Sequence, residues 1–204
     1  EEIANLLKES EEKRTELEKS LLEAKSELNK LKKDSLDFSI SKDSDNVEKL
    51  ILTGATPLVG SGIVVLLNDS KKPYEKGENP ANGIVHNEDL LKIVNEMKSS
   101  GAEAISINGN RLISNSEISC AGPTILINKN RVTPPFEINA LGNADTMISA
   151  LEMRGGILET IKFFGLESKI ERKDEIHIPA YSGSIDFKYS KPIALNTEKE
   201  NTEQ

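Results

Sequence analysis

Apolar residues recur at alternating spacings of four and three positions along the N-terminal part of the chain, residues 1–33. This heptad seam is polar at Ser10 and Arg14 and becomes apolar from Leu17 onward, with Glu and Lys at flanking positions suited to ion pairs. Because an apolar stripe has to be covered, the pattern predicts a coiled-coil helix, with a solvated single helix or a linker as the alternative interpretation. The number of helices is left open. The side chains expected to form the oligomer contact are Leu17, Leu21, Leu28 and Leu31.

The pattern changes at three further points along the chain. Residues 34–50 lose the heptad and are rich in Ser and Asp, which is typical of a linker. Residues 51–189 alternate short apolar runs with Gly, Asn and Pro, which predicts a folded domain. Residues 190–204 are polar and charged, and we expect a disordered tail there.

A well-delimited helix is predicted in the middle of this domain. His86 or Asn87 caps its start, the first turn is acidic, as suits the positive end of the helix dipole, and Gly101 ends it. The buried stripe is predicted to consist of four apolar side chains, Leu90, Leu91, Val94 and Met97.

Strands are predicted on both sides of this helix. Gly60 and Gly62 precede the apolar run Ile63–Leu67, and after the helix the alternating segment Ala102–Ile107 ends at an Asn-Gly dipeptide, a strong hairpin signal. Phosphate-binding loops follow a strand and open a helix, whereas these glycines lead into a strand. The glycines therefore indicate a turn or bulge before a central strand.

The remaining elements are predicted from shorter signals. Residues 111–133 contain short strand candidates, with one hairpin around Lys129-Asn130. A strand, a helix interrupted by two glycines and two closing strands follow at Phe136–Leu141, Asp145–Phe164, Leu166–Ile170 and Glu175–Pro179. The order strand, helix, strand, inserted hairpins, strand, helix, strand predicts an α+β, ferredoxin-like domain. This is a split βαβ repeat, or α-β plait, with helices on one sheet face and an N-terminal coiled-coil helix before it.

Composition and charge exclude several classes of function. The net charge is -8, and no basic run is present to bind phosphates or anionic lipid, which argues against a nucleic-acid partner. Aromatic residues make up 4% of the chain and Trp is absent, so base-stacking platforms are not expected. Cys120 is the single cysteine, which rules out a disulfide within the chain and a cysteine-based zinc site formed by one chain.

Candidate catalytic and metal-binding groups each have a simpler explanation. A Cys120 thiol with His86 or His177 has the residue types of a nucleophile and a base, but we expect Cys120 to be a small buried residue. Asp69 and Asp89 would reach a hard cation together with Asn87 and His86 only if the tertiary fold gathered them. The amides after Gly155-Gly156 suit an anion, yet a helix break explains the glycines better. We therefore expect no catalytic residue, metal or cofactor.

Polar loop residues supply the one candidate binding surface. Loops rich in Asn, Gly and Pro on a rigid sheet often carry binding sites, although ordinary hairpin turns account for the same composition. The candidate surface consists of Asn108, Gly109, Asn110, Arg111, Cys120, Gly122 and Pro123.

Five collinear segments also carry a family resemblance. They are GSGIVVLLNDS at Gly60–Ser70, VHNEDLLKIVNEMKSSGAEAISINGNRL at Val85–Leu112, CAGPTILIN at Cys120–Asn128, PPFEINALG at Pro134–Gly142 and IPAYSG at Ile178–Gly183. On these segments the chain resembles the YlxW/YlxX-like bacterial family, a domain of unknown function. The resemblance implies a plait-like fold placed after one membrane span and a coiled coil, outside the membrane. It also implies a setting in cell division and sporulation of Gram-positive bacteria, and it attaches no catalytic activity.

These observations give two expectations of different classes. The first is a non-enzymatic scaffold on the extracytoplasmic side of the membrane, held by an anchor upstream of Glu1 and oligomerising through its coiled coil. It would bind protein partners of the division or sporulation machinery. The second is a sensor domain that binds a small ligand on the sheet or at a domain interface, for which the glycine-rich loops are the only sequence support.

Overall fold

The computed structural model describes residues 9, 11–21, 23–24, 26–27, 44–73, 77, 79–185 and 187–191 of the 204-residue chain. Its α-helices are α1 (residues 11–21), α2 (Ser44–Leu52), α3 (Asn87–Ser99), α4 (Ala144–Leu151) and α5 (Ile157–Phe163). Its strands are β1 (Leu58–Asn68), β2 (Ala104–Ile107), β3 (Asn110–Arg111), β4 (Ile118–Ala121), β5 (Thr124–Ile127), β6 (Asn130–Val132), β7 (Phe136–Leu141) and β8 (Glu167–Ile178). A short 3-10 helix, Pro80–Gly83, lies between β1 and α3.

The strands form two antiparallel sheets. The five-stranded sheet has the order β3-β2-β7-β1-β8, so that β7 separates β1 from β2. The three-stranded sheet is the meander β4-β5-β6. The fold is therefore a mixed α+β architecture built on antiparallel sheets, and the predicted α+β class is confirmed.

One face of the five-stranded sheet, which we call the helix face, is covered by α3, α4 and α5. Side chains that alternate along the strands point to it, because successive strand residues face opposite sides. The core there combines fully buried residues of the sheet and of the helices with Ile125 and Ile127 of the small sheet. Its members include Ile63, Val65, Leu67, Ile93, Met97, Phe136, Ile138, Met147, Leu151 and Ile161.

The predicted central helix is confirmed, with one change in its buried stripe. The backbone N–H of His86, the N-cap, donates to Oδ2 of Asp89 at 2.9 Å, and Gly101 follows the helix with a φ of 91°. Leu91 was expected in the stripe but is 38% exposed. Ile93 occupies the core instead, together with Leu90, Val94 and Met97.

The glycines of β1 lie inside the strand rather than before it. β1 begins at Leu58, and its pairing with β8 shifts register between Gly60 and Gly62, so the expected bulge is present. A Cβ on Gly62 would collide with the backbone carbonyl oxygen of Ala140 on β7. Glycine is therefore required at position 62, where β1 lies against the backbone of β7.

The turns and closing strands differ in detail from the predictions. Asn108 and Gly109 adopt positive φ values of 45° and 73°, as a two-residue hairpin turn requires. The β5–β6 turn lies at Asn128-Lys129, one residue earlier than predicted. The two closing strands are one continuous strand, β8, and α4 begins at Ala144 with Asn143 as its N-cap.

The N-terminal predictions are covered only in part by the described residues. Residues 11–21 are helical, and the seam residues Leu17 and Leu21 are 63% and 56% exposed. Leu28 and Leu31 lie outside the described residues, as do residues 192–204 of the expected tail. Helix α2 occupies the end of the expected linker. Within the described ranges, no helix is both long and apolar enough to cross a bilayer.

Candidate ligand-binding face

The face of the five-stranded sheet opposite α3, α4 and α5, which we call the open face, has a smaller core and several polar side chains. Its buried apolar cluster draws on β1, β2, β7 and β8, and no helix residue in the described part of the chain belongs to it. The cluster consists of Val64, Ala104, Leu141, Ile176 and Ile178, with Leu58 and Leu66 packed against them.

A row of polar residues crosses this face from the β3 edge. The strand register pairs Arg111 with Ser106, Ser106 with Asn139, and Asn139 with Val64. Directly paired residues of antiparallel strands point to the same side, with Cβ atoms about 5 Å apart. All three polar side chains are buried, although most buried side chains of this sheet are apolar. We call Arg111, Ser106 and Asn139 the polar row.

Arg111 is the most unusual member of the polar row. It is 4% exposed, and its guanidinium makes one long hydrogen bond, from Nη2 to the carbonyl oxygen of Ile51 at 3.5 Å. Among the residues that the structure describes, its Nε and Nη1 have no hydrogen-bond partner, and neither has the buried Oγ of Ser106. Burial lowers the pKa of Arg111 from its ordinary value, but a guanidinium remains protonated in proteins. The site therefore holds a positive charge with unused donors.

The segment after α2 lies close to this charge. Gly54, with a φ of 75°, accepts a hydrogen bond from the backbone N–H of Tyr181 at 2.7 Å. A Cβ on Gly54 would collide with Cγ2 of Ile113 and lie 3.7 Å from Cγ of Arg111. Two residues further on, the hydroxyl of Thr56 is also buried without a hydrogen-bond partner. The backbone at Gly54 is therefore packed tightly against Ile113, and the aliphatic part of the Arg111 side chain lies in ordinary contact beside it.

A cavity of about 170 Å³ adjoins the polar row at Asn139. Inside it, Nδ2 of Asn139 donates to Oε1 of Glu137 at 2.7 Å, and Nε2 of His177 lies 2.9 Å from Oε1 of Glu175. The lining combines both signs of charge with apolar contact, as in many small-molecule sites. Its members are Val64, Glu137, Asn139, Lys173, Glu175, Ile176 and His177.

The structure divides the binding surface predicted from sequence into separate places. Asn108 uses its amide within the fold, since Nδ2 donates to the carbonyl of Pro135 and Oδ1 accepts from the backbone N–H of Glu137. Asn110 is likewise bonded to the carbonyl of Ile107 and to the Asn130 amide. Gly109 is exposed between them in the turn, whereas Arg111 points into the open face.

Cys120 lies elsewhere and is exposed, so the expectation that it is buried is wrong. It occupies β4 of the small sheet, which carries it to the start of α3, where Sγ donates to Oδ1 of Asn87 at 3.1 Å. This partner is an amide, and an amide cannot act as a general base for a thiol. Gly122 and Pro123 are exposed in the β4–β5 turn.

The other candidate groups are occupied by hydrogen bonds within the fold. Oδ1 of Asp69 accepts from the backbone N–H of Val85 at 2.8 Å, and Asp89 caps α3. The N–H of Gly155 donates to Oε2 of Glu159 at 2.9 Å, so a carboxylate of the chain itself already takes that amide. Across the described ranges, no group of three His, Cys, Asp or Glu side chains is placed to hold a metal ion.

Comparison with known proteins places this chain among bacterial proteins of unknown function. The model of a family described as "Bacterial protein of unknown function (DUF881)" matches residues 45–191. The chain is 29% identical over 141 residues to the UPF0749 protein YlxW of Bacillus subtilis, covering 69% of this chain and 60% of that protein. It is 30% identical over 154 residues to the UPF0749 protein Rv1823 of Mycobacterium tuberculosis, covering 70% of this chain and 49% of that protein.

A solved structure supports the fold. The crystal structure of an uncharacterized conserved protein from Mycobacterium tuberculosis matches with a TM-score of 0.60 and 22% sequence identity. The match covers 74% of this chain and all of that chain. At this identity the likeness concerns the fold alone. The curated relatives named above are longer, since the chain spans only 60% and 49% of their length.

Proposed function

The chain belongs to the bacterial DUF881 family, and on that premise we propose that it is a non-enzymatic assembly module. Its N-terminal helix brings copies of the chain together, and its α+β body binds protein partners. The observation that carries the proposal is the exposure of Leu17 and Leu21 on α1.

Helix α1 gives this proposal its physical basis. Leu17 and Leu21 are four residues apart and therefore lie on one side of the helix, at consecutive seam positions. Both are more than half exposed, and every described residue from 9 to 27 is exposed. Burying one such leucine is favourable by about 1.5–3 kcal/mol, which supports pairing of two helices along the seam.

The α+β body offers an exposed apolar surface to a partner. Phe163 and Phe164 at the end of α5 form an edge-to-face pair with ring centroids 5.3 Å apart, and Phe163 is 84% exposed. Met153, in the connection between α4 and α5, is also exposed. Exposed aromatic and Met side chains are enriched at protein interfaces, which supports a protein partner for this end of the domain.

The setting we propose follows the family resemblance. The body lies on the extracytoplasmic side of the membrane, tethered by an anchor upstream of Glu1, and its partners belong to the division or sporulation machinery. We propose likewise that the body is a ferredoxin-like plait. The order β2-β7-β1-β8, with α3 joining β1 to β2 and α4 and α5 joining β7 to β8, supports this topology, and β3 to β6 are then the inserted hairpins.

Light scattering across a concentration series tests the assembly proposal. We expect the chain to have the mass of a dimer or higher oligomer, and the variant Leu21→Glu to shift toward monomer, because it places a charge in the seam. Thr15→Glu is the matched control, since it adds the same charge to α1 outside the seam and should leave the mass unchanged. A monomeric mass for the unaltered chain at all concentrations would falsify self-assembly.

A second candidate function is a small-ligand sensor, and it has its own observation. The cavity on the open face is lined by Glu137, Asn139, Lys173 and His177, groups that can orient a polar ligand. The two functions are compatible, because the cavity and α1 involve different residues. Ligand binding would raise the thermal unfolding midpoint, whereas a purely mechanical scaffold would show no such change.

A further inference from the structure

We propose that the open face contains a binding site for a small oxyanion, a carboxylate or phosphate group, centred on Arg111 and Ser106. The site goes beyond the assembly proposal and does not depend on it. It gives the sensor function a definite chemical class of ligand.

The first argument is the unused bonding capacity of Arg111. A buried charge without a partner is strongly unfavourable, and a guanidinium carries five N–H donors. Here Nε and Nη1 make no hydrogen bond, and the one contact of Nη2 is at the 3.5 Å limit. In the described part of the chain no carboxylate forms an ion pair with Arg111, although Lys71, Lys169 and Arg172 all have such partners. An anion from solution would pair with this charge and accept hydrogen bonds from the unused donors.

The second argument is the presence of buried, unpaired hydroxyl groups on two segments next to Arg111. Ser106 is paired with Arg111 across β2 and β3, on the same side of the sheet, and its Oγ is fully buried without a partner. The hydroxyl of Thr56 is also buried and unpaired, on the segment whose Gly54 lies against Arg111. Guanidinium and hydroxyl donors together are the groups that bind carboxylate and phosphate oxygens.

The third argument concerns access. Ser106 is paired with Asn139 on its other side, and Asn139 lines the open cavity. The cavity does not reach Ser106 or Arg111, which are buried beside it, so an anion enters the site only when side chains of the polar row move apart. The polar row therefore lies between the buried cation and the cavity. This geometry suits a small ligand with one anionic group.

Thermal unfolding of the full chain tests the site. Sodium phosphate and sodium acetate are compared with sodium chloride at equal ionic strength, so that general salt effects cancel. We expect phosphate, acetate or both to raise the midpoint by about 5 °C at saturation. A response to phosphate alone identifies a phosphate site, and a response to acetate alone identifies a carboxylate site.

Three variants locate the effect. Arg111→Met should abolish the anion response, and Ser106→Ala should weaken apparent affinity roughly tenfold, about the value of one hydrogen bond to a charged group. Arg131→Met is the matched control. Arg131 is an exposed arginine of the small sheet whose Nη1 donates to the Ala121 carbonyl and the Thr124 hydroxyl, and its variant should respond like the unaltered chain.

Two results would overturn the proposal. One is an equal midpoint in phosphate, acetate and chloride, which would mean that water or nothing occupies the unused donors. The other is an anion response that Arg131→Met loses as completely as Arg111→Met, which would indicate adsorption to surface cations. If Arg111→Met does not fold, Ser106→Ala decides the question, since an unchanged anion affinity in that variant also contradicts the site.

Discussion

The two faces of the five-stranded sheet have opposite chemistry. The helix face is sealed by α3, α4 and α5, and its sheet residues Ile63, Phe136 and Ile138 are fully buried among apolar neighbours. The open face has no helix in its apolar cluster and buries Arg111 and Ser106 with unused hydrogen-bonding atoms. A buried polar group without a partner lowers stability, whereas an apolar side chain in the same position would raise it.

This contrast indicates that one face of the sheet serves stability and the other serves binding. Apolar burial on the helix face supplies most of the stability, because that face holds the larger core cluster. Within the polar row, Asn139 donates a hydrogen bond to Glu137, whereas the Oγ of Ser106 and the Nε and Nη1 of Arg111 add no stability that the described residues account for. We infer that the polarity of this row serves binding, and the following predictions test whether the two faces respond differently to substitution.

Phe136→Ala should have the largest effect. Phe136 is buried on the helix face, and removing a buried phenyl ring leaves a cavity that lowers the free energy of unfolding by about 3–5 kcal/mol. Phe163→Ala is the control, because Phe163 is exposed and its loss should change that free energy by less than about 0.5 kcal/mol. Urea denaturation measures both. Equal losses for the two variants would mean that the helix face is not the main source of stability.

Gly62→Ala should have the second largest effect. We expect it to lower the free energy of unfolding by about 3 kcal/mol, because the new Cβ would collide with the carbonyl oxygen of Ala140. Gly60→Ala is a close control two positions away. Its Cβ would meet only the Leu141 methyl groups, at 3.8 and 3.9 Å, which is ordinary contact. Urea denaturation should therefore separate the two variants by at least about 2 kcal/mol. If both variants unfold at the same urea concentration, β1 and β7 are not as close as the structure indicates.

The smallest predicted effect concerns the pKa of Glu171, which lies on the open face in β8. A hydrogen bond and the charge of Lys169 lower the pKa of the Glu171 carboxyl, with a smaller contribution from Lys173. A lowered pKa in the folded state means that the stabilisation is present above the ordinary carboxyl pKa and is lost as the pH falls through the lowered value. NMR titration should give a Glu171 midpoint below that of an ordinary glutamate, and Lys169→Met should raise it. An unchanged midpoint in Lys169→Met would remove Lys169 as the cause.

Local signals in the sequence predicted much of the fold. The cap at His86, the glycine at the end of α3 and the Asn-Gly hairpin are each decided by a few neighbouring residues. Leu91 was placed in the buried stripe instead of Ile93, although the helical spacing i, i+3, i+4, i+7 from Leu90 gives Ile93, Val94 and Met97, so the signal was present in the sequence. Cys120 was expected to be buried because it lies among small residues, and its exposed place beside Asn87 of α3 follows from a tertiary contact that no local pattern predicts.

The candidate site was harder to predict, because its residues come together partly through tertiary contacts. Ser106 and Arg111 flank a two-residue turn, so their pairing follows from the hairpin, and a Ser within a run of apolar strand residues was an available signal. Asn139 joins them through the pairing of β2 with β7, in which Ser106 lies opposite Asn139, 33 positions later in the chain. No local pattern encodes that register. The exposed turn residues Gly109, Gly122 and Pro123 were included in the predicted binding surface only because loops rich in Asn, Gly and Pro often carry binding sites.

The central claim is that the polar row is kept for binding rather than for stability. Urea denaturation of Arg111→Met, in a chloride buffer free of phosphate and carboxylate, tests it most directly. Because Nε and Nη1 of Arg111 are unpaired, we predict a free energy of unfolding equal to or above that of the unaltered chain, with the same dependence on urea. A loss of about 2 kcal/mol or more would show that Arg111 is a satisfied structural contact, and would contradict the claim.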